Sequence, residues 1–241
     1  MRHSLLVLLF IIAPVAAMAS GGHDAKLHSA HVDLRDKPSL QRGAKYFVNY
    51  CMGCHSLKYM RYNRLAEDLN ISEQELRDNL IFGDAQPGDL MTIALRPEDG
   101  EQWFGTVVPD LTLVTRWRSP DWVYSYLKSF YVDDNRPYGV NNLLYPDVGM
   151  PHVLAELQGV QEAIYGHGHE GQVTGLKLTQ PGELTPEQYD HMVHDLTNFL
   201  TYVGEPIQLE RRRLGTYVLL FLGLMFVLTY MLKKEYWKDV H

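Results

Sequence analysis

The sequence predicts a mainly helical domain with long loops, followed by one membrane-spanning helix near the C-terminus. Two capping boxes, at Ser72 and Thr185, each open a segment whose apolar residues recur every three or four positions. Residues 214–232 carry no charged side chain, and as a helix they would span about 28 Å, close to one hydrocarbon core. Long strands with clear alternation of apolar and polar residues are not evident.

The N-terminus has the pattern of a secretory signal peptide. Residues 1–19 start with Arg2, continue with an apolar run and end in the small-residue site Ala17-Met18-Ala19. An uncleaved anchor helix is the alternative. Basic residues flank the second apolar run equally, so the signal peptide decides orientation. We expect an exported domain over residues 20–210, an anchor over 211–232 and a cytoplasmic tail over 233–241.

Helical periodicity is clearest just before the two cysteines of the chain. Asp36 is a candidate N-cap, and Leu40, Ala44, Phe47 and Cys51 then follow on one helix face. We expect further helices over 61–69, 72–83, 119–130 and 185–204, long loops over 84–108 and 131–151, a hairpin within 166–182 and a flexible leader over 20–32.

The exported domain is acidic. Residues 20–210 contain 27 Asp and Glu against 15 Lys and Arg, a net charge of −12. This charge disfavours binding to nucleic acid and anionic lipid and favours a basic protein partner, although a merely solvated surface explains it equally well.

Residues 51–55, Cys51-Met52-Gly53-Cys54-His55, have the C-x-x-C-H spacing of covalent c-type haem attachment. The two thiols can form thioethers with the two vinyl groups of one porphyrin, and His55 can then ligate the iron. A structural zinc site would need a second ligand pair, and these are the only cysteines. A thioredoxin-like dithiol follows a strand and starts a helix, whereas here the cysteines follow a helical pattern.

The second axial ligand decides what such a haem does. Met150 stands between Gly149 and Pro151 on a long loop, a suitable context for a thioether ligand, and methionine raises the potential for electron transfer. Met91 has a weaker context. A core packing role is the alternative for Met150, and an open iron would instead suit a haem-based ligand sensor.

Several segments, in order along the chain, resemble the cytochrome c1 family. They are Gln41-Arg42-Gly43, the haem motif, Pro109-Asp110-Leu111 with a following arginine pair, the loop Tyr145-Pro146-Asp147-Val148-Gly149-Met150-Pro151, and Asn198-Phe199-Leu200 before Gly204-Glu205-Pro206 and a single anchor. The resemblance covers nearly the whole exported chain, and its short form is similar to bacterial members.

The resemblance implies a class I cytochrome c core whose first helix crosses its last near Gly43 and Phe199. It further implies an electron-transfer subunit, without catalytic residues of its own, of the quinol–cytochrome c oxidoreductase in the bacterial inner membrane, with its haem domain in the periplasm. Cytochrome b and the Rieske iron–sulfur protein would be partners in a dimeric complex, and a cytochrome c the acceptor. By similarity, the Pro109 carbonyl would orient His55 and Arg116 would pair with a haem propionate, although Arg118 is a comparable arginine.

Two other functions stay open at this point. A cytochrome subunit of a terminal oxidase commonly has its anchor before the haem domain, whereas here the anchor follows it. A tethered periplasmic thiol–disulfide oxidoreductase would use the same cysteines without haem. The Gly166-His167-Gly168-His169 segment has no counterpart in the family; a polar hairpin tip is expected there, with a metal site as the alternative.

Overall fold

The computed structural model describes residues 27–166 and 173–239. The predicted signal peptide, residues 1–19, lies outside these ranges. The helices are α1 (Lys37–Tyr46), α2 (Tyr62–Leu69), α3 (Glu73–Asn79), α4 (Pro97–Phe104), α5 (Val114–Arg118), α6 (Pro120–Leu127), α7 (Ala155–Gln158), α8 (Pro186–Gly204) and α9 (Gln208–Tyr236). The strands are β1 (Leu57–Arg61), β2 (Leu90–Met91), β3 (Phe130–Val132), β4 (Val140–Asn142), β5 (Gly159–Tyr165) and β6 (Val173–Pro181). The predicted fold class, mainly helical with one long apolar C-terminal helix, is confirmed.

The crossing of α1 and α8 organises the core. A Cβ atom on Gly43 would lie 2.1 Å from the carbonyl oxygen of Asp195 and 2.5 Å from the Cβ of Phe199, so the two helix backbones touch at this point. Phe47 and Phe199 pack beside it with ring centroids 5.8 Å apart. At the edge of the crossing, Arg42 donates two hydrogen bonds to the buried Asp195 carboxylate, at 2.6 and 2.9 Å. This charge-assisted, bidentate pair fixes the register of the helices.

Both helix ends that the capping boxes predict are present. In α3, Ser72 Oγ accepts from the Glu75 amide, and the Glu75 carboxylate accepts from the Ser72 amide. In α8, Thr185 and Gln188 exchange the same pair of hydrogen bonds. Each box satisfies amide groups that would otherwise lack a partner in the first turn. Helix α3 ends at Asn79, earlier than the Gly83 expected from sequence.

The loop predictions need correction. Residues 84–108 contain β2 and the whole of α4, and residues 131–151 contain most of a β3–β4 hairpin. The expectation that long strands are absent is also wrong, because β5 and β6 pair antiparallel over seven and nine residues. This hairpin begins at Gly159, before the segment predicted for it. Residues 167–172 lie outside the described ranges, and with them most of the Gly166–His169 segment for which a polar hairpin tip was expected.

The leader is ordered where the structure describes it. The His28 amide donates to Ser125 Oγ and the Ala30 amide donates to Asp121 Oδ1, both at 2.8 Å. Ala30 is buried against the core. The prediction of a flexible leader is therefore wrong for residues 28–30, which dock on α6.

Helix α9 is the one candidate membrane span within the described residues. It extends a few residues beyond both ends of the predicted anchor, residues 211–232, and none of its residues is buried within the chain. At its start, Arg211 and Arg116 both pair with the Glu205 carboxylate, which links the anchor to α5 and to the end of α8. Length, apolar composition and exposure fit a single membrane anchor.

Candidate haem-binding site

The end of the first helix presents the two cysteines. Beyond α1, residues Phe47–Cys51 form one π-helical turn, in which the Met52 amide donates to the Phe47 carbonyl at 2.9 Å. The chain then folds back on itself, because the amides of Cys54 and His55 both donate to the Cys51 carbonyl, at 3.1 and 2.9 Å. Both thiols are free, with Cys51 buried and Cys54 half-buried. This compact turn places Cys51, Cys54 and His55 on the wall of one cavity.

That cavity is open to solvent on one side, and its empty volume of about 500 Å³ includes part of the open space. Three segments far apart in sequence build it, and most of the lining side chains are apolar. The lining residues are Tyr50, Cys51, Cys54, His55, Phe104, Thr106, Val108, Pro109, Gly149, Met150, Pro151 and Val153. The structure thus brings five of the six sequence-predicted site residues together.

His55 is held by the chain around Pro109. Its Nδ1 lies 2.8 Å from the Pro109 carbonyl oxygen, and since a carbonyl only accepts, Nδ1 carries the proton in this bond. Nε2 then keeps its lone pair and is the nitrogen able to ligate a metal. Burial lowers the pKa of His55, which favours the neutral ring.

Two further hydrogen bonds fix the position of the Pro109 carbonyl. The Leu111 amide donates to the Ser56 carbonyl at 3.0 Å, and the Lys58 amide donates to Asp110 Oδ2 at 2.8 Å. Residues 56–58 and 110–111 are therefore hydrogen-bonded to each other next to the contact between His55 and Pro109. Sequence reasoning missed the supporting roles of Ser56 and Asp110, since nothing in the chain order shows that residues 56–58 meet 109–111.

The loop that carries Met150 is shaped by two adjacent asparagines that sequence reasoning also missed. Asn142 is fully buried; its side-chain oxygen accepts from the amides of Leu144 and Tyr145. Asn141 accepts from the Asp147 amide at 2.9 Å. These bonds satisfy backbone groups that would otherwise be unpaired, so the loop keeps one conformation without regular secondary structure. The Asn-Asn pair before the loop is the only sequence signal of this arrangement.

Tyr126 of α6 also contacts Met150. Its hydroxyl lies 3.4 Å from the Met150 sulfur, and burial raises the pKa of the phenol, so that it stays protonated and can donate. The Asn142 side-chain amide donates to the Tyr126 carbonyl at 2.9 Å, which ties α6 to the start of the loop.

Three further residues considered from sequence, Met91, Arg116 and Arg118, do not line this cavity. Met91 is fully buried and pairs with Leu57 in the β1–β2 sheet, which indicates a packing role. Arg116 does not line the cavity, and its guanidinium donates to Glu205 at 2.9 Å. Arg118 lies over the Trp117 ring, 4.0 Å from its centroid. The pairing of Arg116 with a haem propionate stays a prediction.

The candidate ligands and the cavity fit a haem better than they fit a redox-active dithiol or a zinc site. Burial raises the pKa of the Cys51 thiol to about 12, whereas a catalytic dithiol needs a lowered thiol pKa. Within residues 27–166 and 173–239, no group of three His, Cys, Asp or Glu side chains is placed to hold a zinc ion. Two thiols, an imidazole with a free Nε2 and a thioether around a largely apolar cavity match the requirements of a covalent haem.

Comparison with known proteins agrees with this site. The Cytochrome C1 family model matches residues 27–240. The chain is 66% identical to cytochrome c1 of Allochromatium vinosum, over 100% of both chains. It is 48% identical to the ammonia monooxygenase gamma subunit of Nitrosomonas europaea, over 98% of this chain and 97% of that one. Identity to cytochrome c1 of Rhodospirillum rubrum is 27%, over 85% and 83% of the two chains. This chain therefore belongs to the cytochrome c1 family.

Proposed function

We propose that the cavity holds one haem c, bound by thioethers to Cys51 and Cys54 and ligated by His55 and Met150. Membership of the cytochrome c1 family makes the chain an electron-transfer subunit of the cytochrome bc1 complex, with haem c as its cofactor. The meeting of these four side chains in one cavity, from segments about a hundred residues apart, is the observation that carries the proposal.

When bound, haem c supplies a one-electron iron couple. The chain itself binds, orients and shields. Pro109 holds the His55 ring through Nδ1 and leaves Nε2 for the metal, while Asn141 and Asn142 keep the Met150 loop in place. The largely apolar lining lowers the polarity of the site, which together with a methionine ligand would favour the reduced state. No proton transfer or nucleophilic attack is required of any residue.

The complex supplies the partners. Family membership implies cytochrome b and the Rieske iron–sulfur protein. We infer that the chain takes one electron from the Rieske protein and delivers it to a cytochrome c, in a dimeric complex. Helix α9 would anchor it in the inner membrane with residues 20–210 in the periplasm and the last residues in the cytoplasm. The acidic surface of the exported part suits a basic acceptor.

The other functions considered from sequence are not favoured. The buried Cys51 thiol argues against a thiol–disulfide oxidoreductase, and the family argues against a terminal oxidase subunit. The name of the Nitrosomonas relative describes a monooxygenase subunit. The cavity in this chain is lined by the residues proposed to hold the haem, and these support electron transfer. Arg116 is proposed as a propionate partner, in competition with its ion pair to Glu205.

The test is purification from membranes in mild detergent. We expect a reduced α-band that survives acid–acetone extraction, together with a co-purifying b-type cytochrome and a Rieske protein. A double variant, Cys51→Ser with Cys54→Ser, should lose the band, whereas Met91→Leu should keep it. A pigment that the acid–acetone extracts, or a colourless protein with a redox-active Cys51–Cys54 disulfide, would contradict the proposal.

A further inference from the structure

We propose that Tyr126 is a positioning residue for the axial sulfur: its hydroxyl orients Met150 and raises the reduction potential of the site. The inference rests on the proposed function, because it takes Met150 as a ligand. It starts from one contact, the 3.4 Å separation of the Tyr126 hydroxyl and the Met150 sulfur. Among the described residues, this sulfur is the only hydrogen-bond partner of that hydroxyl.

Aromatic side chains pack against the Tyr126 ring and restrict its orientation, which keeps the hydroxyl directed at the Met150 sulfur. Trp122 stacks on one side, with centroids 4.9 Å apart and planes 11° from parallel. Phe130 meets the ring edge to face at 5.2 Å and 71°. On the far side of Phe130, the His152 ring stacks with centroids 4.7 Å apart and planes 3° from parallel. The row of aromatic rings therefore ends at a residue two positions after Met150. Stacked and edge-to-face contacts of this kind favour one orientation of the ring.

The backbone adds a second connection. The Tyr126 carbonyl accepts from the Asn142 side chain, and the oxygen of that same side chain accepts from the loop amides of Leu144 and Tyr145. Helix α6 and the Met150 loop are therefore held in one register by a buried polar residue. The hydroxyl and the sulfur are in contact because both the helix that carries Tyr126 and the loop that carries Met150 are held in place.

The chemistry follows from the electron pairs of a thioether. Sulfur has two lone pairs; when the phenol O–H occupies one, the other is left for a metal, which selects one orientation of the methionine side chain. The hydrogen bond also withdraws electron density from sulfur. Weaker electron donation from sulfur would remove more stabilisation from the oxidised iron than from the reduced iron. The reduction potential would therefore rise. Loss of the hydroxyl should act in the opposite direction.

The experiment replaces Tyr126 in the full-length, haem-loaded protein and measures the midpoint potential and the sulfur-to-iron charge-transfer band. Tyr126→Phe keeps the ring between Trp122 and Phe130. We expect the equilibrium constant for reduction to fall about threefold to tenfold, where tenfold is 59 mV for a one-electron couple, with the band retained but shifted. Incorporation of 3-fluorotyrosine at the same position makes a stronger donor and should move the potential in the opposite direction.

Tyr124→Phe is the matched control. It removes a hydroxyl from the same helix, but that hydroxyl donates to Asp190 and not to the Met150 sulfur. Its potential should equal that of the unaltered protein. If Tyr126→Phe leaves both potential and band unchanged, or if the fluorinated residue shifts the potential in the same direction as phenylalanine, the inference is overturned. Absence of the band from the unaltered protein would instead refute methionine ligation and the proposed site itself.

Discussion

Replacement of Gly43 by alanine tests the helix crossing that organises the fold. A methyl group at this position would lie 2.1 Å from the Asp195 carbonyl oxygen, whereas ordinary contact begins at 3.4 Å. The helices must therefore separate by about 1.3 Å, or the backbone must distort, since the atom in the way belongs to the main chain rather than to the mobile end of a side chain. Gaps of this size forfeit a large part of the dispersion contacts along the interface.

Two opposing effects set the magnitude. Alanine favours a helix over glycine by about 1 kcal/mol, whereas overpacking of a tight core costs about 1–3 kcal/mol and occasionally more. Contact with main chain places the overpacking cost of Gly43→Ala at the upper end, so after the helix-propensity gain we expect a net loss of about 2 kcal/mol. For a domain of this size that corresponds to a fall in Tm of roughly 4–8 °C.

Thermal unfolding of the detergent-purified protein, followed by circular dichroism, measures the effect. Gly88→Ala is the matched control, because a Cβ atom at Gly88 would meet nothing within 4 Å and its φ is not positive. The control should unfold within a degree or two of the unaltered protein. Because helix propensity alone predicts that Gly43→Ala is stabilising, an unchanged or higher Tm would show that α1 and α8 do not touch at this residue.

Three further outcomes follow from the site and the anchor. Met150→Leu should keep the fold and the attached haem but lower the midpoint potential by on the order of a hundred millivolts; an unchanged charge-transfer band would exclude Met150 as ligand. Charge reversal at Glu98 and Glu101, on the helix that ends in a cavity-lining residue, should slow cytochrome c reduction at low salt far more than Glu67→Lys does, and a flat salt dependence would contradict electrostatic docking. A secreted fragment ending at Glu210 should be soluble, keep its absorption spectrum and still reduce cytochrome c, yet fail to join the membrane complex; loss of its haem would show that α9 belongs to the haem fold.

The elements predicted best were those encoded by neighbouring residues. Capping at Ser72 and Thr185 depends on side chains three positions apart, and both boxes are present as expected. The apolar face that leads to Cys51 and the uncharged run of the anchor are likewise local patterns. A hairpin was expected only within residues 166–182, and its first strand, β5, was missed because both strands are mostly exposed, so burial imposes no clear alternation on them.

For the site, the sequence by itself determined which residues are chemically suited to haem: Cys51, Cys54 and His55 by their spacing, and Met150 by its setting between glycine and proline. Only the tertiary structure decided that Met150 and Pro109 line the same cavity as the cysteines, and that Tyr126 and Asn142 hold the methionine loop. The physical reason is the separation along the sequence between the residues that interact. A C-x-x-C-H turn closes through hydrogen bonds within five residues, whereas the meeting of residue 55 with 109, or of 126 with 150, depends on how the helices pack, which no short pattern records.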